Sequence, residues 1–282
     1  MTTMRLIASP CARAPAIASG RSAPPPWVTT TTSTPTATSR EDRLAGLLRT
    51  LIIIPAYNEE DALPGVLKEL AETVPEYDVL VVDDGSKDAT AAVAAAAGAV
   101  VARLPFNLGV GGAMRTGFKY ACRQGFDRAI QLDADGQHDA NEIPRLLAAL
   151  EGVDLAVGTR FGADSATYEV GATRRSVMRA LQLGVRMLSG HRITDTSSGF
   201  RAYSRPIIEF FATNYPVEYL GDTVEAILIA SYAGFKVAEV PVSMRPRAGG
   251  VASTRNLKLL YHVARLVVVM ISTVPLRRRR RP

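Results

Sequence analysis

The sequence predicts an α/β fold, a Rossmann-like and mostly parallel sheet with helices on both faces. Three observations predict it. From Leu51 onward, short apolar runs alternate with helix-length stretches, the pattern of parallel strands joined by crossover helices. Hydrophobic residues make up 47% of the 282-residue chain and charged residues 21%, a globular balance within reach of one elaborated domain. Polar and acidic clusters follow directly on the apolar runs, at the edge where such sheets gather their functional loops.

Taken in order, residues 1–45 are rich in Pro, Ser, Thr and Ala, include Pro24-Pro25-Pro26, and show no apolar period, so they are expected to be disordered. Arg5, Arg13 and Arg21, with no acidic residue before Glu41, superficially resemble a transit peptide, although the same composition suits an untidy tail. Residues 46–254 hold the α/β domain, with strands expected at 51–54, 79–82, 99–103, 129–132 and 155–158. Helices are expected at 59–73, 88–97, 112–123 and 141–150, several opened by an Asp or Asn able to cap free amides. Residues 255–282 form the last unit, an amphipathic helix over about 256–273 followed by five arginines at 277–281. Those arginines carry much of the net charge of +6, and the pattern fits a protein lying on an anionic leaflet; a core-packing helix with a solvated basic tail is the alternative. The apolar stretch 266–276 is too short to span a bilayer, and its backward extension meets Arg265, His262 and Lys258.

Other signals exclude function classes. Cys11 and Cys122 are far apart with no CxxC or His-rich neighbourhood, which supports neither a disulfide framework nor a zinc site and makes a reducing cytoplasm the simplest compartment. There is no GxxxxGK[ST] loop, and Gly109-Val110-Gly111-Gly112 lacks the spacing of a dinucleotide fingerprint. His138, His191 and His262 show no ligand spacing, so packed or solvated roles are expected of each. No nucleic-acid partner is expected.

Four clusters fall at the strand ends: 55–59, 83–86, 107–109 and 133–137. Aspartates at such places often only cap a helix or hold a turn, and that reading suits Asp88. It suits Asp133-Ala134-Asp135 poorly, because two carboxylates one residue apart repel each other unless a cation or protons intervene. Mg2+ or Mn2+ resolves this. Such an ion takes one or two carboxylates from a protein and completes its shell with water and substrate phosphates, which points to a diphosphate substrate.

The segments IIIPAYNEE (52–60), VLVVDDGSKDAT (79–90), NLGVGGAMRTGFKYA (107–121), QLDADGQHDANEIPRLL (131–147), VGTRF (157–161) and TDTSSGFRAYSR (194–205) carry a resemblance. Together they resemble, in order, a family 2 glycosyltransferase of the GT-A fold, in the branch of dolichol-phosphate mannose synthases and polyprenyl-phosphate sugar transferases. The resemblance implies that Pro55, Tyr57, Glu59, Val82 and Asp84 hold the nucleotide of a GDP- or UDP-linked sugar. It implies that Asp133 and Asp135 are the metal ligands of a DxD motif with Gln137 beside them, and that Arg160 and Arg201 meet the diphosphate or an acceptor phosphate. Arg247 becomes a phosphate contact in an Arg- and Gly-rich loop. Direct displacement with inversion is the implied reaction.

The acceptor divides the alternatives. A polyprenyl phosphate is already anionic and needs no strong general base, whereas a saccharide hydroxyl needs one. Relatives acting on hydroxyls carry a base in a Gly-Glu-Asp-type motif, and Thr223 stands at the matching position here, with Asp222 or Glu225 able to serve instead. The departure favours the lipid phosphate, and with it a cytoplasmic enzyme at the membrane face, reached through the basic tail or a membrane protein partner. A nucleotidyltransferase and a non-catalytic scaffold are the remaining alternatives. The first lacks its Gly-rich phosphate loop, and the second would be expected to lose a metal carboxylate.

Overall fold

The computed structural model describes residues 28–29, 48–160, 195, 198–216 and 222–245. The helix expected at 256–273, the arginines at 277–281, Arg247, and most of the segment 1–45 lie outside the described residues, as do the side chains of Asp222 and Thr223.

Eight strands form one sheet: β1 (Val28–Thr29), β2 (Thr50–Ala56), β3 (Asp78–Asp83), β4 (Val100–Arg103), β5 (Arg128–Gln131), β6 (Leu155–Thr159), β7 (Arg201–Ser204) and β8 (Val237–Pro241). Their spatial order is β1-β4-β3-β2-β5-β7-β6-β8. The pairs β2–β3, β3–β4, β2–β5 and β6–β8 are parallel, while β7 runs antiparallel to both β5 and β6 and β1 runs antiparallel to β4. The mostly parallel sheet is as expected, and each of the five expected strands is present.

Six helices accompany it among the described residues: α1 (Leu63–Thr73), α2 (Thr90–Ala96), α3 (Gly109–Gln124), α4 (Ile143–Ala149, after a 3-10 turn at Ala140–Glu142), α5 (Arg205–Asn214) and α6 (Asp222–Tyr232). Pro64, Pro144 and Pro206 sit in the first turns of α1, α4 and α5, where a missing N–H costs nothing. Strand β2 shows why the sheet needs cover on both sides. Leu51 and Ile53 face a core with Phe118 of α3, Phe211 of α5 and Ile227 of α6, whereas Ile52 and Ile54 face Leu67 of α1, Ala94 of α2 and Leu146 of α4. Each such burial contributes about 1.5–3 kcal/mol, so β2 anchors both layers. Helix α3 lies especially close, since a Cβ on Gly117 would stand 2.5 Å from Ile53 Cγ2.

Three features depart from the sequence reading. Val28–Thr29, inside the segment expected to be disordered, adds a two-residue strand to the otherwise open edge of β4. Strands β7 and β8 and helix α5 were not expected: β7 contains a buried arginine, and β8 carries Glu239 and Pro241. Cys122, the one cysteine among the described residues, is disulfide-bonded, against the expectation of a reduced thiol. No helix among the described residues is long and apolar enough to cross a membrane.

Candidate functional site

The C-terminal ends of the parallel strands bring the expected clusters to one edge. At β2, Pro55 is half-buried and Tyr57 is 42% exposed, while Asn58 takes a left-handed backbone with φ 54°. The turn is locked to the loop after β3. Asn58 N–H donates to Ser86 Oγ (3.0 Å), Lys87 N–H to Asn58 Oδ1 (2.9 Å), and Glu59 N–H to Thr90 Oγ1 (2.9 Å). Glu60 ties the same two loops together: its N–H donates to Asp88 Oδ2 (3.2 Å), and its Oε2 accepts from Ala89 N–H (2.8 Å).

The aspartates after β3 are committed to backbone. Asp83 is fully buried; its Oδ1 accepts from Ser86 N–H (2.9 Å), and its Oδ2 lies 3.3 Å from Arg103 Nε. Asp84 accepts from Leu108 N–H and Gly109 N–H, each at 2.7 Å, and so caps the first amides of α3. Burial pushes the Asp84 carboxyl above its ordinary value; the two amide bonds pull it back, and neighbouring Asp83 adds to the rise. A carboxylate offers about four lone-pair sites, so this capping leaves lone pairs unused on Asp84, a residue only 3% exposed. Between them and the next strand, Gly85 (φ 73°) is obligatory: a Cβ there would lie 2.7 Å from the Phe106 carbonyl carbon. The Val82 side chain, expected beside the nucleotide, is fully buried in the core.

The turn after β5 is built differently. Asp133 has a side chain 38% exposed and accepts no backbone amide among the described residues. Its carboxylate lies 3.6 Å from His138 Nε2, while its own N–H donates to His138 Nδ1 at 3.1 Å. Ala134 and Asp135 are buried, and Asp135 Oδ1 accepts from Gln137 N–H at 3.1 Å. Gly136 (φ 74°) allows the reversal. His138, expected to be packed or solvated, is buried and stacked on Phe200 (centroids 4.7 Å, planes 11° apart).

The segment after β8 closes this turn from outside. His138 bridges Met244, and Arg245 N–H donates to Gln137 O at 2.8 Å. The Arg245 guanidinium reaches Glu69 of α1 (2.7 Å) and Asp139 (2.9 Å). Neither His138 nor Arg245 was assigned a site role from sequence. His138 directly follows the 133–137 cluster, and that adjacency is the sequence signal that points to it.

The two arginines differ. Arg160, at the end of β6, donates from Nε to Asp195 Oδ2 at 3.0 Å and keeps 28% of its side chain exposed. Arg201 opens β7, pairs in register with Gln131 and Val157, is fully buried, and donates from Nε to Ser198 O at 2.9 Å. Glu225 is half-buried in α6, a helix that begins at Asp222; the Asp222 side chain and Arg247 lie outside the described residues.

The donor set at Asp133 and Asp135 is all oxygen, which suits a hard divalent cation. Among the described residues no three His, Cys, Asp or Glu side chains are grouped to hold a metal. A cation here would take at most two protein carboxylates and complete its shell with phosphate oxygens and water, as Mg2+ and Mn2+ do.

Comparison with known proteins agrees with this layout. The family model described as glycosyl transferase family 2 matches residues 51–211. The undecaprenyl-phosphate mannosyltransferase of Micrococcus luteus is 33% identical over 209 residues, covering 72% of this chain and 86% of that protein. The polyprenol monophosphomannose synthase of Mycolicibacterium smegmatis is 35% identical over 214 residues, covering 72% and 80%. Among solved structures, the glucosyl-3-phosphoglycerate synthase of Mycobacterium tuberculosis, in complex with Mn2+ and UDP-glucose, superposes with a TM-score of 0.60 at 22% identity over 82% of this chain and 80% of that one. At that identity the likeness speaks for the fold.

Proposed function

The chain belongs to glycosyl transferase family 2 and is a glycosyltransferase, and on that premise we propose that it moves a sugar from a nucleoside diphosphate to a polyprenyl phosphate, with inversion. The observation that carries the proposal is the turn Asp133-Ala134-Asp135, which presents two carboxylates where the parallel strands end. Mg2+ or Mn2+ held there supplies Lewis-acid stabilisation of the departing diphosphate. Asp133, the more exposed of the pair, faces the phosphates; Asp135, anchored by Gln137 N–H, fixes the turn.

On the donor side, Tyr57 and the Asp84 carboxylate flank the space for the nucleoside, with Glu59 and Pro55 holding the turn beneath it. Arg160 has the exposure to meet a phosphate directly and is oriented by Asp195. Arg201 contributes its charge from inside the sheet, where low dielectric strengthens a fixed cation. Arg247, in a segment that resembles the family's Arg- and Gly-rich loop, is the proposed contact of the acceptor phosphate. Two relatives named for undecaprenyl phosphate and polyprenol monophosphomannose support the lipid acceptor, which needs no general base; Asp222 and Glu225 are the candidates if the acceptor is a hydroxyl. The basic run at 277–281 supports work at an anionic leaflet, as a peripheral protein or beside a membrane partner.

The test is product formation from GDP-mannose and a panel of UDP-sugars, with polyprenyl phosphate and, separately, soluble saccharides as acceptors, in Mn2+ or Mg2+. Glycolipid that appears only with the lipid phosphate supports the proposal. Transfer to saccharides alone overturns its acceptor half.

A further inference from the structure

His138 is placed unlike a helix cap or a filler of the core, because both of its nitrogens face one residue. Asp133 N–H donates to Nδ1 at 3.1 Å, so the ring accepts there and carries its proton on Nε2. Nε2 lies 3.6 Å from Asp133 Oδ2, too long for a hydrogen bond but close enough for the N–H dipole to bias the carboxylate. The ring itself cannot drift. It is 7% exposed, stacked on Phe200, and its backbone bridges Met244.

Gly199 closes a second side of the same carboxylate. A Cβ at that position would stand 2.6 Å from Asp133 Oδ1 and 2.7 Å from Oδ2, so the carboxylate lies flat against a residue with no side chain. Histidine on one side and glycine on another leave Asp133 its exposed remainder, 38% of the side chain, through which to present oxygen to a ligand.

We propose that His138 is a positioning residue that holds the Asp133 carboxylate in the orientation for binding the divalent cation, with Gly199 supplying the room. The inference rests on the metal reading of Asp133 and Asp135. Partners that orient a metal ligand are commonly worth about 10–100-fold in metal affinity.

His138→Asn isolates the effect: its Oδ1 overlays Nδ1 and still accepts from Asp133 N–H, while nothing replaces Nε2–H. Free Mn2+ is followed by electron paramagnetic resonance as the protein is titrated in the presence of UDP and, separately, GDP. The variant is expected to bind Mn2+ about tenfold more weakly, with its melting temperature near wild type, and Gly199→Ala is expected to shift affinity in the same direction. In turnover, the Mn2+ concentration for half-maximal rate rises, and saturating Mn2+ restores kcat, which no folding defect would allow. Wild-type Mn2+ affinity in both variants, with binding lost in Asp133→Ala, overturns the role of His138 while leaving the metal site standing. Unchanged binding in Asp133→Ala removes the metal reading and this inference together.

Discussion

The carboxylates after β3 and those after β5 stand at the same edge of one sheet, yet they are used differently. Asp83, Asp84 and Asp88 each accept backbone amides, from Ser86, from Leu108 and Gly109, and from Thr90 and Glu60. Asp133 accepts none among the described residues and is more exposed than the buried Asp83 and Asp84. A carboxylate held by backbone amides is fixed in place by the fold, and it orders the loops that shape a pocket. One left with exposed oxygen beside a second carboxylate has unmet charge, which a cation can satisfy. The contrast sets Asp133, whose carboxylate no backbone amide holds among the described residues, apart from the amide-held Asp83, Asp84, Asp88 and Asp135.

The largest expected effect lies on the β5 side. Asp133→Ala should lower turnover on the order of a thousandfold, while unfolding free energy in urea stays within about 0.5 kcal/mol of wild type, since the side chain is partly exposed and outside the amide network. Near-normal turnover would break the comparison at once.

The β3 side should respond in the opposite manner. Asp84→Asn leaves one of two amide donors facing an NH2 group; Gly109 N–H keeps a second acceptor in Asn107 Oδ1 (3.0 Å), so the loss is expected near the low end of the about 1–3 kcal/mol for an unsatisfied buried donor. Urea unfolding should show that loss, and kinetics should show a rise in the donor KM larger than the fall in kcat, because a nucleoside contact is similar in ground and transition states. A fall confined to kcat would give Asp84 a chemical role and blur the distinction.

The smallest effect is on pH dependence. Burial tends to raise the Asp88 carboxyl, but bonds from the Thr90 hydroxyl and amide and from Glu60 N–H together hold it below its ordinary value. Asp139 is likewise lowered against burial, by Asn141 and Arg245. A depressed folded value stabilises the protein above the unfolded value of about 3.9, and that stability is lost as pH falls through the folded value. Asp84 has the opposite sign: its raised folded value means that acidification toward about 3.9 relieves the cost of burying its charge. Asp88→Asn should therefore be less stable than wild type at neutral pH and lose less on acidification below about pH 4. Parallel curves for the two proteins would show that folding does not lower the Asp88 carboxyl.

The same contrast explains what the sequence made legible. The five strands stood out because each is an apolar run, and the strand-end clusters followed from topology alone. Helix starts were harder, because their caps come from far away. Helix α3 begins at Gly109 rather than at 112 because Asp84, 25 residues earlier, accepts the Gly109 amide. Helix α1 begins at Leu63 rather than 59 because Glu59 and Glu60 give their amides to Thr90 and Asp88. Strand β7 was hidden by its buried Arg201, a residue whose position makes sense only between β5 and β6. The pairing of His138 with Asp133 was invisible for another reason: residue spacing does not reveal that Nδ1 and Nε2 face the same residue.

Exposed charge at the β5 turn recruits a cation for the diphosphate only if nucleotide binding depends on that ion and on Asp133. Calorimetric titration of the donor nucleotide into wild type, Asp133→Ala and Asp84→Asn, each with Mn2+ and with excess chelator, tests this most directly. Wild type is expected to bind tightly only with Mn2+, Asp133→Ala to lose that metal dependence, and Asp84→Asn to bind more weakly but still with metal dependence. Equal affinity with and without Mn2+ in wild type, or metal dependence that survives in Asp133→Ala, would contradict that role for Asp133.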